Sequence, residues 1–199
     1  MTTFKAAQNF STVRPGDIKY EDVNKDGVID ANDVTKIGYS AYAPEIFYNL
    51  HAGFEYKGFG LNFLFQGTGH YSANLNAKGM YWPLLNSTSL SQQYYDGRWT
   101  PGNTDAKFPR LSTTSTANNY QTSTFWLRDR SFIKLRNIEA YYNFPESLME
   151  KTNFIKTAKL YVRGVDLFCA DHIDDADPEC YGVSAPLNKS IVVGLALSF

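Results

Sequence analysis

The sequence lacks most of what a helical membrane protein or a common enzyme needs. No run of 18 apolar residues occurs in its 199 residues, and a helix needs about 20 to cross a bilayer. That excludes a transmembrane helix. It does not exclude a transmembrane β-barrel, whose strands alternate and average out as polar. Charge excess is also missing: 19 Lys and Arg stand against 20 Asp and Glu, a net charge of −1. A nucleic-acid partner held by a basic face is therefore not expected. Cysteine is scarce. Cys169 and Cys180 match no zinc or redox spacing. They either close a loop in an oxidising compartment, worth about 3 kcal/mol on a loop-entropy argument, or stay as two thiols. No P-loop, nucleophile elbow, HExxH or CxxC is present. Gly67, Gly69 and Ser72 outline a dinucleotide loop, but no βαβ unit supports it. The three histidines, His51, His70 and His172, have no ligand spacing. No enzyme and no organic cofactor are expected. The first ten residues carry neither an apolar stretch nor a cleavage-site pattern, so they do not read as a signal peptide.

Aromatic residues are abundant instead. The 14 Phe, 14 Tyr and 3 Trp make up 16% of the chain, and such residues favour strands and membrane–water interfaces. The period of the sequence is two over several stretches. From Pro44 to Lys57, Ile46, Tyr48, Leu50, Ala52, Phe54 and Tyr56 share one face, while Phe47, Asn49, His51, Gly53, Glu55 and Lys57 make up the other, mostly polar one. Lys57-Gly58 signals a tight turn into Phe59, Leu61, Phe63 and Phe65, so a hairpin is expected. Strand character returns at 125–144, where the apolar phase switches between Leu135 and Ile138; a bulge near Arg136-Asn137 would explain it. A short helical turn over 146–156, a strand from Lys159 to Phe168 and a last strand with Ile191, Val193, Leu195, Leu197 and Phe199 on one face complete the reading.

About five strands result, joined by connections that alternate short and long. That asymmetry is the mark of a membrane barrel with short periplasmic turns and long outer loops. Residues 1–15 read as a loop or tail, 16–43 as an extracellular loop, and 44–199 as barrel strands with extracellular loops at 68–124 and 171–186. The fold class expected is all-β, an antiparallel transmembrane β-barrel segment. Tyr81, Trp82, Trp99 and Tyr120 in the long loop either pack it together or stack on sugars.

One stretch has metal-loop spacing. Asp22, Asn24, Asp26, Asp30 and Asp33 place side-chain oxygens at positions 1, 3, 5, 9 and 12 of an EF-hand-like loop, with Gly27 at the sharp turn and the Val28 carbonyl at position 7. A hard cation needs six to eight oxygens, so Ca²⁺ is the candidate ion. Asp33 stands where the motif has Glu, and only 32–37 could form a flanking helix. An Asx-rich turn with solvated carboxylates is the other reading. The acidic cluster Asp171, Asp174, Asp175, Asp177 and Glu179 reads as a solvated loop rather than a second site.

Five stretches in order resemble the C-terminal part of SusC/RagA-like TonB-dependent transporters. They are PGDIKYEDVNKDGVID (15–30), FEYKGFGLNFLFQG (54–67), YYDGRWTPGNTDAKFPRL (94–111), FWLRDRSFIKLRNIEAYYNFP (125–145) and the terminal strand ending in Phe199. The resemblance covers about residues 15–199, with loop 171–186 departing from the pattern. It implies a 22-stranded barrel in the bacterial outer membrane, filled by an N-terminal plug. It implies import of oligosaccharides or peptides, energy from the TonB complex and capture by a SusD-like surface lipoprotein. The plug and the TonB-contacting segment lie N-terminal of the part matched, so a C-terminal fragment, not transport-competent alone, is expected. Val193, Leu195, Leu197 and Phe199 resemble the signal read by the barrel-assembly machinery. The alternative is a free-standing extracellular calcium-binding β-domain for adhesion or scaffolding; the metal-loop spacing, similar to one dockerin repeat, supports it.

Overall fold

A computed structural model describes residues 7–76, 82–84, 88–114, 116–152, 154–173, 177–180 and 185–199. These residues pack as two units. One contains 7–38 and 73–128, the other 39–72 and 129–199. The large sheet belongs to the second. Its strands are β3 (Ile46–Tyr56), β4 (Phe59–Gly69), β7 (Phe132–Asn143), β8 (Thr157–Asp171) and β9 (Ser190–Ser198), in the spatial order β3-β4-β7-β8-β9. Every neighbouring pair is antiparallel. Among the described residues no helix is long and apolar enough to cross a membrane.

The predicted hairpin forms as the sequence requires. Tyr56 pairs with Phe59 across Lys57 and Gly58, whose φ values of 50° and 85° give a two-residue turn matching the twist of the strands. The two predicted faces continue across all five strands. One row runs Phe54, Leu61, Ala140, Val162, Val193, and the next Tyr56, Phe59, Tyr142, Leu160, Leu195. These side chains stay open: Phe54 is 63% exposed and Val193 68%. A contiguous apolar surface of this extent has no place on a soluble monomer.

The bulge falls where the phase switch places it. Leu135 and Asn137 pair on both sides while Arg136 between them is skipped. Opposite it, Asp166 adopts φ 53° and accepts from Arg136 at 2.8 Å, so the irregularities of the two strands neutralise each other. The extra residue keeps Ile133, Leu135, Ile138, Ala140 and Tyr142 on one face despite their change of parity. Pro145 ends β7 and leads into a single helical turn, α2 (Glu146–Met149).

The first unit is built differently. Its strands are short: β1 (Ala7–Gln8) pairs in parallel with β2 (Val28–Ile29). β5 (Ser72–Asn74) and β6 (Leu127–Asp129) form another two-stranded sheet where the chain passes between units. One helix, α1 (Gln92–Gly97), is capped by the Ser91 hydroxyl, which accepts from the Tyr94 N–H at 3.2 Å. The opening residues, expected as a loop or tail, are tied in from Ala7 onward. Asn118 and Asn119, both fully buried, hold them. Asn118 Nδ2 donates to the Ile18 carbonyl at 2.8 Å, and its Oδ1 accepts from Gln8 Nε2 at 2.8 Å. Asn119 Oδ1 accepts from the Ile18 N–H at 2.9 Å, and its Nδ2 donates to Asp17 at 2.7 Å. The Tyr20 hydroxyl donates to the Asn118 carbonyl at 2.5 Å; burial pushes this phenol up to about 12, which keeps its proton in place. Stacked rings surround the network: Trp82 on Tyr120 at 4.5 Å, Tyr94 on Phe108 at 4.6 Å.

Candidate functional site

The second face of the large sheet is polar and carries fixed charges. The cross-strand register places Glu139 opposite Arg163, with Lys159 two rows away on the same face. The Glu139 carboxylate accepts from Lys159 at 2.7 Å and from Arg163. Glu55 accepts from the Tyr141 hydroxyl at 2.8 Å and from Asn143 at 3.2 Å. A small recess lies beside Glu139, lined by His51, Asn62, Leu64, Asn137, Glu139 and Arg163. Asn137 Oδ1 is buried there without a donor. This face can orient polar or charged solutes; among these residues no nucleophile sits beside a base.

Residues 177–180 lie across the same face. Asp177 accepts from Lys134 Nζ at 3.0 Å, and Glu179 accepts from it at 2.6 Å. Glu179 also pairs with Arg136. Arg130 donates to the carbonyl of the buried Pro178. Lys134 is 3% exposed, so the acidic segment covers it. Burial alone would raise Asp177 and Glu179, but hydrogen bonds outweigh it and hold both carboxyls below the usual carboxylate range. Those bonds come from the Glu179 N–H and Lys134 for Asp177, and from Arg136 and Lys134 for Glu179. Sequence reasoning read Asp177 and Glu179 as solvated. The missing signal is long-range: nothing near them in the chain shows that β7 and the residues leading into it present Arg130, Lys134 and Arg136 to them. Asp174 and Asp175 lie outside the described residues.

A second recess of about 570 Å³ opens at the end of the sheet where β4 stops, β7 starts and β8 stops. Tyr39, Tyr48, His70, Asp129, Phe132 and His172 line it. Burial pushes Asp129 up; hydrogen bonds from Ser131 and the nearby His172 and His70 outweigh this, and its carboxyl lies below the usual range. The sequence shows no ligand spacing for the histidines because the register, not the chain, brings these two together.

The metal-loop residues fold as one turn. Asp22 accepts from the Asp26 N–H at 3.2 Å and the Gly27 N–H at 2.9 Å. Asn24 accepts from the Asp26 N–H at 2.9 Å, and Asp26 from the Val28 N–H at 2.8 Å. Asp33 reaches back to the Val23 and Asp30 N–H groups at 2.8 and 2.9 Å, while Asp30 accepts from Asn32. Hydrogen bonds from the Asp30 N–H first, then those of Asn24 and Val23, hold the Asp33 carboxyl below its ordinary value. Gly27 takes φ 89°, the sharp turn the motif needs. Among the described residues no group of three or more His, Cys, Asp or Glu is arranged to hold a metal ion.

Cys169 and Cys180 are both free thiols, and Cys169 donates to Asp171 at 3.2 Å. Of the loop aromatics, Tyr120 is buried between Trp82 and Trp126, and Trp99 covers Gly16 so closely that a β-carbon there would lie 2.4 Å from its ring. These rings pack the unit; Tyr81 lies outside the described residues. The terminal pattern is borne on an edge strand: Val193 and Leu195 lie in the apolar rows, Leu197 pairs with Ala158, and Phe199 follows the last pair.

No protein-family model matches the chain. Individual proteins do. TonB-dependent receptor P26 of Formosa agariphila is 29% identical over 165 residues, which cover 82% of this chain and 16% of the receptor. Receptor P3 of the same organism is 27% identical over 168 residues. The chain is similar to these TonB-dependent receptors over 82% and 83% of its own length. Among solved structures, the RagAB peptide importer in its open-open state superposes with a TM-score of 0.66 at 25% identity, over 90% of this chain and 20% of that one. The RagAB peptide transporter gives 0.65 at 24% identity. The five-stranded antiparallel sheet thus has the fold of a piece of β-barrel wall, as its two faces foretell. The chain spans about a sixth of the length of the curated receptors it matches. The proteins it resembles are receptors and transporters, not enzymes.

Proposed function

We propose that this chain is the C-terminal part of the barrel of a TonB-dependent outer-membrane importer of oligosaccharides or peptides. In this reading a SusD-like surface lipoprotein delivers the substrate, and the TonB complex acts through a plug outside the chain. The observation that carries it is the sheet: one face continuously apolar, the other ion-paired, and β3 and β9 each bonded on one side only within the described residues. Five strands cannot close a barrel, and an open edge in hydrocarbon leaves backbone groups unsatisfied. Further strands must complete the wall, and this piece alone transports nothing. It performs no catalysis; its contribution is a lipid-facing surface and a fixed charge pattern inside. The apolar series Val193, Leu195, Leu197 and Phe199 serves the barrel-assembly machinery.

Mass spectrometry of gel-resolved outer-membrane bands tests this. The peptide ending in Phe199 should come from a band about five times heavier than this chain, as the size of the matched receptor indicates. Deleting Phe199 should reduce that band in the outer membrane. A band of 22.5 kDa in a soluble fraction would sink the proposal.

We also propose that Asp22, Asn24, Asp26, Asp30 and Asp33, with the Val28 carbonyl, hold Ca²⁺ and stiffen their loop. The residues fold into one turn with Gly27 at the sharp bend the motif needs, and an all-oxygen donor set suits a hard cation. Calorimetric titration should show binding that Asp22→Asn weakens; no heat and no thermal shift at millimolar Ca²⁺ would rule it out.

A further inference from the structure

His70 and His172 stand 102 positions apart in the chain, yet they flank one strand. Thr68 pairs with Phe132, and Phe132 pairs with Asp171. The two histidines therefore lie on either side of the start of β7, two strand spacings or roughly 10 Å apart at the backbone. Both line the rim recess.

Each imidazole is oriented through the same atom. His70 Nδ1 is 3.2 Å from Glu45 Oε2. His172 Nδ1 is 3.8 Å from Asp129 Oδ2 and 3.4 Å from the Ser131 carbonyl. An acceptor behind Nδ1, the Glu45 carboxylate for His70 and the Ser131 carbonyl for His172, fixes the tautomer and leaves Nε2 as the basic nitrogen, which is how outer acceptors prepare histidines for a metal. The His70 ring is further fixed by stacking on Tyr39, with centroids 4.2 Å apart and planes within 3°. Its backbone sits at φ 51°, a conformation a side chain adopts at some cost. Asp129 is itself positioned, since its Oδ1 accepts from the Ser131 N–H at 2.8 Å.

We infer that His70 and His172 form a two-imidazole site for a borderline divalent transition-metal ion such as Zn²⁺, Cu²⁺ or Ni²⁺, with water or donor atoms of a bound molecule completing the shell. Imidazole nitrogen selects these ions over Ca²⁺ and Mg²⁺, so the site is distinct in chemistry from the all-oxygen loop at 22–33. Glu45 and the Ser131 carbonyl orient the rings, with the Asp129 carboxylate beside His172. The recess is open enough to admit water beside the ion.

The test uses the purified protein in detergent, without a polyhistidine tag, titrated with Cu²⁺ by calorimetry and by electron paramagnetic resonance. The expected result is one ion per chain with nitrogen couplings from two imidazoles. His70→Ala and His172→Ala should each weaken binding about tenfold or more, and the double variant should do little worse. His70→Gln keeps a donor toward Glu45, so its loss of binding would not reflect a collapsed rim. His51 is the internal control: it lies along the polar face beside Asn62 and Asn137, and His51→Ala should bind as the parent does. Unchanged binding in either His70 variant, a one-nitrogen spectrum, or no binding would overturn the assignment.

Discussion

Replacing Lys134 by methionine will free residues 177–180 from the sheet. Lys134 is buried and serves two carboxylates, Asp177 and Glu179. Methionine preserves the length and apolar stem but leaves both carboxylates without that cation. Removing one partner of a buried pair costs about 3–5 kcal/mol; Glu179 keeps Arg136 and some solvent, so a value near the lower end, about 3 kcal/mol, is expected. The readout is faster amide exchange at Glu179 and Cys180 together with a lower unfolding midpoint. Adding Asp177→Asn and Glu179→Gln should recover part of the loss, because the uncompensated charge is removed. A Lys134→Met protein with unchanged exchange would show that Arg130 and Arg136 suffice to hold the segment. Acid should imitate the substitution. Both carboxyls titrate below their ordinary values of about 4. Their contribution is therefore complete above that pH and is lost as pH falls through the lowered folded-state values. Exchange at Glu179 should rise only below about pH 4.

The second large effect belongs to Asn118. Asn118→Ala removes one acceptor of Gln8 Nε2 and one donor to the Ile18 carbonyl, which then keep only their direct bond of 3.1 Å to each other. Each hydrogen bond lost is worth about 1 kcal/mol net, so a loss of about 2 kcal/mol is expected. Residues 7–20 should detach, seen as rapid tryptic cleavage after Lys19 in a protein whose large sheet is unchanged. Asn118→Asp is expected to fail as well, since an ionised carboxylate accepts from Gln8 but cannot donate to Ile18. Cleavage no faster than in the parent would mean that Asn119 and Tyr20 hold the segment without it.

The large sheet was legible because a membrane wall writes itself into alternation. β3, β4 and β9 each carry an unbroken series of apolar residues two apart, and the parity change between Leu135 and Ile138 located the bulge at Arg136. The first unit was illegible for the opposite reason. Its interior is made by Asn118, Asn119, Gln8 and stacked rings, and hydrogen-bonded amides leave no period. The charged clamp on 177–180 and the paired histidines were hidden by distance, since pairing of β4 with β7 and β7 with β8 joins residues that local patterns cannot connect. The EF-hand-like spacing was readable, and it predicted the turn at Gly27.

The pairing of Ser72–Asn74 with Leu127–Asp129 bears on how the wall can diversify. The entropy of bringing β4 against β7 depends on how far apart the ends of the intervening chain are held, and growth in loop length adds only slowly to it. With those ends clasped, residues 75–126 count for the sheet as a short hairpin connection does. The stretch between can be lengthened, shortened or exchanged wholesale while strand register is left alone. A domain swap that cuts at 74 and 127 is thus the natural seam for grafting another loop unit onto the same barrel wall.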